Sequence, residues 1–141
     1  MSRAPLGAAL RAFLDSERER ILATCTSCGK CYEACPMPEY VGRKPAAKEI
    51  VSGVLSLLRE GKAGEDALAW VNACIRTGEC VKACPENVNP KMMMRLAKMT
   101  ALGGMGGQKL IVRKEDPDYF NRIRAFGQLQ LSDDEVNEWM R

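Results

Sequence analysis

Seven cysteines are the residues of this 141-residue chain best suited to chemistry, and all of them fall in two short runs. The first, "CTSCGKCYEACP", carries Cys25, Cys28 and Cys31 at intervals of three, then Cys35 followed by Pro36. The second, "CIRTGECVKACP", carries Cys74, Cys80, Cys84 and Pro85 at matching positions, with Thr77 where the first run has Cys28. Thiolates are soft ligands that select zinc, cuprous copper and iron–sulfur centres. Closely spaced thiolates followed by a more distant Cys-Pro suit a polynuclear iron–sulfide group, three corners from one run and the fourth supplied from elsewhere in the fold.

Two other uses of cysteine compete. A disulfide framework fits an odd number of cysteines poorly, and no secretory signal is expected, because "APLGAAL" is too short for a signal core and runs into Arg11 and Asp15. Structural zinc usually takes two separated pairs of ligands rather than three thiolates in succession; it stays open as the alternative metal.

The complete first run has the C-x2-C-x2-C-x3-C-P spacing of two-cluster ferredoxins, in which the fourth cysteine ligates the other cluster. Crossed ligation assigns Cys25, Cys28, Cys31 and Cys84 to one 4Fe-4S cluster and leaves Cys35, Cys74 and Cys80 for the second. At the remaining corner Thr77 offers a neutral hydroxyl, a hard, weak donor that stays protonated near neutral pH. An iron there is held poorly, so a 3Fe-4S cluster is expected; the alternative is a 4Fe-4S cluster whose fourth iron takes water or another oxygen ligand.

With five residues between Cys74 and Cys80, three before Cys84, then Pro85 and a following "NP", the second run resembles the C-terminal cluster domain of succinate dehydrogenase and fumarate reductase iron-sulfur subunits. The absence of a preceding plant-type 2Fe-2S domain makes the chain similar to the small dicluster iron-sulfur protein of heterodisulfide reductases and its relatives. The resemblance spans roughly residues 5–105 and implies an all-α, helical ferredoxin-like domain holding a 4Fe-4S and a 3Fe-4S cluster. It also implies a place in a multi-subunit oxidoreductase, beside a flavoprotein or a disulfide-reductase-type subunit. Ile75 stands where the succinate enzymes have a histidine, and "CPMPEY" lacks their tryptophan after the cysteine, so quinone contact is not carried over.

Helices must position these runs. Residues 5–22 place Leu6, Leu10, Phe13, Leu14, Ile21 and Leu22 at helical intervals among charges. "PAAKEIVSGVLSLLRE" (45–60) starts at a proline suited to a first turn and stops before Gly61. "GEDALAWVNACI" (64–75) has acids in its first turn and puts Leu68, Val71 and Cys74 on one face. "VNPKMMMRLAKMTALGG" starts at an Asn89 cap and ends at Gly103 and Gly104. Its Met92, Leu96 and Met99 share a face expected to be core, leaving Met93 or Met94 to face a partner.

No strand is expected before residue 108, and helix, cysteine run and Cys-Pro recur twice. Gly29 and Gly78 fall at equivalent places in the two loops, where the backbone must bend closely around sulfide. Lys30, Arg76, Lys82 and Lys91 are candidates to raise the potential of nearby clusters. "LGGMGGQK" is not preceded by a strand or followed by Gly-Lys-Ser/Thr, so it reads as a joint rather than a phosphate loop. Residues 1–107 thus form the two-cluster domain and 108–141 a C-terminal docking arm. In the arm, "QKLIV" is expected as a strand pairing with another chain, "DPDYFNRIRAF" as a helix starting at Asp116-Pro117, and Ser132 with Glu135 as a capping box.

Without histidine there is no common proton shuttle and every cysteine has a ligand role, so no catalytic side chain is assigned. The expected function is single-electron transfer between a flavin or disulfide-reducing partner and another redox centre. The alternative is an open iron beside Thr77 acting as a Lewis acid on a hydroxy acid or a thiol. The formal charge of +3 does not point to nucleic acid, because the two clusters with their thiolates each bring about −2 and take the total to about −1. No apolar run is long enough to span a membrane, and a cytoplasmic location is expected, with membrane association only through a partner.

Overall fold

A computed structural model describes residues 7–41, 45–111 and 119–141, apart from the side chains of residues 40, 41 and 119. The fold is all-α, with no strand among the described residues. Helices α1 (Ala8–Thr24), α2 (Lys30–Glu33) and α3 (Pro38–Val41) surround the first cysteine run. Helix α4 (Ala47–Glu60) follows, then α5 (Glu65–Ala73), α6 (Glu79–Ala83) and α7 (Pro90–Ala101) surround the second. Helices α8 (Tyr119–Gln128) and α9 (Asp133–Trp139) complete the described chain.

The amphipathic helix α4 is the hub, packing on α1, α2, α5 and α7. It buries Ile50, Val51, Val54, Leu55, Leu57 and Leu58, each worth about 1.5–3 kcal/mol when fully withdrawn from water. Gly61 ends it in the left-handed conformation at φ 73°, its N–H donating to the Leu57 carbonyl at 2.9 Å. Helix α7 starts as the sequence predicts: Asn89 Oδ1 accepts the Met92 N–H at 3.3 Å, and Pro90 occupies the first turn. The capping box of α9 is present, Ser132 N–H donating to Glu135 Oε2 at 2.8 Å and Glu135 N–H to Ser132 Oγ at 3.3 Å. Hydrogen bonds to the carboxyl from the Ser132 backbone N–H, and then from its side chain, hold Glu135 below its ordinary pKa.

The expected faces of α5 and α7 pack on the core, though the most buried stripes extend beyond them. In α7 the buried stripe is Pro90, Met93, Met94, Ala97 and Ala101, with Leu96, while Met92 and Met99 are only half-buried. Met93 and Met94 are therefore core residues and face no partner. In α5 the buried residues are Ala67, Trp70, Val71 and Ala73; Leu68 is half-buried, and Cys74 lies just past the helix in an extended conformation. In α1, Leu14 and Ile21 are buried but Leu10 and Phe13 are 47% and 53% exposed. Leu6, Val112 and the Asp116-Pro117 helix start lie outside the described residues.

The described part of "QKLIV" is not a strand. Leu110 and Ile111 donate their N–H groups to the Ala101 carbonyl at 2.7 and 3.1 Å, and Ile111 is buried in the main core. The orphan carbonyls at the end of α7 provided an intrachain partner for this run. Helix α8 packs on α3, with Ala125 buried beside Met37 and Ala73.

Basic side chains pin the segments that flank the second cysteine run. Arg20 Nη2 donates to the Val88 carbonyl at 3.1 Å, pinning the segment after Cys84 to α1. Lys98 Nζ donates to the Asn72 carbonyl at 3.1 Å, pinning the end of α5, just before Cys74, to α7.

Gly29 and Gly78 have almost the same left-handed backbone, φ 82° and 81°, but different surroundings. A Cβ on Gly29 lands 2.7 Å from Ala47 Cβ and 3.0 Å from the Ala47 backbone, whereas one on Gly78 meets nothing within 4 Å. Gly78→Ala is expected to cost about 1–2 kcal/mol from the left-handed strain alone. Gly29→Ala adds an overpacking penalty of about 1–3 kcal/mol against the first turn of α4. Thermal unfolding of the cluster-loaded variants, followed by helical circular dichroism, should rank Gly29→Ala clearly below Gly78→Ala; equal midpoints would contradict the close approach.

Candidate metal centre

The two cysteine loops have the same construction. Cys25 and Cys74 each leave a helix in extended conformation, with ψ 128° and 122°. Two residues on, Ser27 and Arg76 are left-handed at φ 58° and 63°, followed by the left-handed Gly29 and Gly78. Cys31 and Cys80 then sit in the short helices α2 and α6. Left-handed residues in such tight loops turn backbone N–H groups into concavities of the kind that receive phosphates and iron–sulfur groups. Non-glycine residues in this conformation are uncommon, and finding Ser27 and Arg76 at equivalent places marks a constraint shared by both loops.

Helices α2 and α6 pack against each other and bring the two runs together. Cys25, Cys28, Cys31 and Cys84 line one pocket of about 320 Å³ including its open mouth, walled by Val51, Val88 and Met93. Cys35, Cys74 and Cys80 line a second, of about 360 Å³, with Thr77 among them and Trp70, Met37 and Met94 as apolar wall. Each pocket thus draws thiols from both runs, and the grouping is the crossed one. Glu86 lies at the first pocket; Arg76 and Lys91 lie at the second. Lys82 instead pairs on the surface with Glu79 at 3.6 Å, and Lys30 is exposed.

All seven thiols are free. Burial pushes the Cys31 thiol up to about 12, with Cys25 and Cys80 adding to it. Burial likewise raises Cys25, with Cys84 and Cys28 close enough to contribute. It raises Cys35, beside Cys74, and Cys80, beside Cys74 and Cys35. Those neighbours sort by pocket, and the one crossing, Cys31 with Cys80, marks where the two pockets adjoin. Thiols this dry stay protonated near neutral pH until a cation compensates the thiolate charge, so metal loading must release protons.

The donor set fits iron–sulfur clusters. It is all sulfur apart from Thr77, and N–H groups aim at ligand sulfurs: Val88 N–H at Cys84 Sγ and Trp70 Nε1–H at Cys35 Sγ, both at 3.4 Å. Among the described residues no group of three or more Cys, His, Asp or Glu side chains is arranged to hold a single metal ion. Four thiols line one pocket and three the other, a soft donor set that a polynuclear iron–sulfide group accepts. Thr77 Oγ1 accepts the Glu79 N–H at 3.3 Å, so the hydroxyl also serves the turn into α6.

Sequence reasoning missed Trp70, Val88 and the left-handed Ser27 and Arg76. Only the last pair left a trace, in their equivalent positions two residues after Cys25 and Cys74.

Residues 21–88 match the family model described as a 4Fe-4S dicluster domain, and iron–sulfur cluster binding is the chemistry of that segment. The chain is 35% identical over 86 residues to the fumarate reductase iron-sulfur subunit of Mycobacterium tuberculosis (strain CDC 1551 / Oshkosh), covering 55% of this chain and 34% of that protein. It is 33% identical over 92 residues to the fumarate reductase iron-sulfur subunit of Haemophilus influenzae (strain ATCC 51907 / DSM 11121 / KW20 / Rd), covering 59% of this chain and 35% of the relative. The chain spans about a third of the length of these relatives. No solved structure matches it. No helix among the described residues is long and apolar enough to cross a membrane.

Proposed function

We propose that this chain, with its 4Fe-4S dicluster segment, is an electron-transfer subunit of a multi-subunit reductase. Cys25, Cys28, Cys31 and Cys84 hold a 4Fe-4S cluster, and Cys35, Cys74 and Cys80 hold a 3Fe-4S cluster with Thr77 at the vacant corner. The observation that carries this is the sorting of seven free thiols into two adjoining pockets, four in one and three in the other. When bound, the clusters supply one-electron chemistry. The chain's own groups hold them, exclude water with Val51, Met93, Trp70 and Met94, and donate N–H bonds to sulfur.

The likeness to fumarate reductase iron-sulfur subunits supports work beside partner subunits, a flavoprotein or disulfide-reductase-type subunit being the class proposed. Phe120, Phe126 and Trp139, 69%, 51% and 54% exposed in the 108–141 arm, support a docking role for it. In the complex purified from its source, both cluster signals should be reduced and reoxidised within turnover, while the isolated chain turns nothing over. A cluster that stays oxidised throughout turnover, or an isolated chain that converts a hydroxy acid or a thiol, would defeat this function.

A further inference from the structure

We propose that Trp70 sets the reduction potential of the second site by donating its indole N–H to Cys35 Sγ. The inference rests on the two-cluster reading and concerns one side chain within it. Trp70 Nε1 lies 3.4 Å from Cys35 Sγ, a contact spanning 35 residues of sequence. The indole is 3% exposed, so water does not compete for that sulfur from the ring's side. Tyr32 meets it edge-on, ring centres 5.1 Å apart and planes at 83°, which fixes the ring's orientation.

The placement is specific to one site. Trp70 stands one helical turn before Cys74 at the end of α5, so the same helix delivers the donor and a thiol of the second pocket. In the first pocket the corresponding bond to Cys84 Sγ comes from the Val88 backbone, which any residue except proline supplies at that position. Trp70 is instead a side-chain choice, and a substitution removes it without rerouting the chain. Adding an electron makes the cluster and its thiolates more negative, and an N–H aimed at sulfur stabilises the reduced form more than the oxidised one. Trp70 is therefore a positioning residue for charge: it acts on the cluster through Cys35.

The test is a paramagnetic-resonance-monitored redox titration of anaerobically purified wild type and Trp70→Phe, with iron measured in both. Phenylalanine keeps an aromatic ring in the dry wall and deletes the N–H. The second site's reduction constant should fall roughly tenfold, a midpoint about 59 mV lower for a one-electron couple, while the first site's midpoint stays put. If Trp70→Phe fails to assemble, incorporating benzothienylalanine at position 70 keeps the indole's shape without its N–H and must give the same selective fall. An unmoved second site, or equal shifts at both sites, would overturn the role of Trp70. A wild type with iron for one cluster alone would instead overturn the two-cluster reading, and this inference with it.

Discussion

Thr77→Cys is expected to convert the second site from three iron atoms to four. Position 77 precedes left-handed Gly78 as Cys28 precedes left-handed Gly29, φ 81° against 82°, so the backbone already presents it as it presents a ligand. Thr77 also lines the pocket with Cys35, Cys74 and Cys80. A thiolate there adds the soft ligand that a hydroxyl cannot replace. The lost acceptor for the Glu79 N–H costs only about 0.5–1.5 kcal/mol. Oxidised wild type should show the paramagnetic signal of a three-iron cluster, and the variant should lose it on reconstitution with excess iron. Thr77→Val, which deletes the hydroxyl without adding a ligand, should keep the three-iron signal. A strictly anaerobic wild type without that signal would favour a 4Fe-4S cluster with an oxygen ligand.

Crossed ligation makes the next expected result equally large. Cys84→Ser should abolish or severely perturb the 4Fe-4S signal of the pocket it shares with Cys25, Cys28 and Cys31. Cys35→Ser should do the same to the site it shares with Cys74 and Cys80. Serine is nearly isosteric but a hard donor, so each change removes soft ligation with little disturbance of packing. Low-temperature resonance spectra of both variants check this; damage confined to the cluster of each residue's own sequence run would contradict the paired arrangement.

Much of this was legible in the sequence because it is written locally. Pro90 with the Asn89 cap, Gly61 at the end of α4 and the Ser132–Glu135 box all act within a few residues, and each appears as expected. Face assignment was less legible where the apolar pattern had no contrast. The run Met92–Met93–Met94 is apolar on every side, and the small Ala97 and Ala101, which fix the buried stripe, carry little hydrophobic signal. Leu10 and Phe13 have helical spacing, yet the described neighbours of α1 bury Leu14 and Ile21 and partly cover Leu22, leaving the first two exposed. "QKLIV" has strand composition, but the free carbonyl of Ala101 captures it. Trp70 looked like ordinary core, since nothing in the chain announces that an indole on α5 reaches a sulfur 35 positions earlier.

Iron and acid-labile sulfide content per chain, measured on protein purified without exposure to oxygen, tests the central claim most directly. One cluster of each kind predicts about seven iron and eight sulfide, with no stoichiometric zinc. About four iron, or one or two zinc without sulfide, would contradict it.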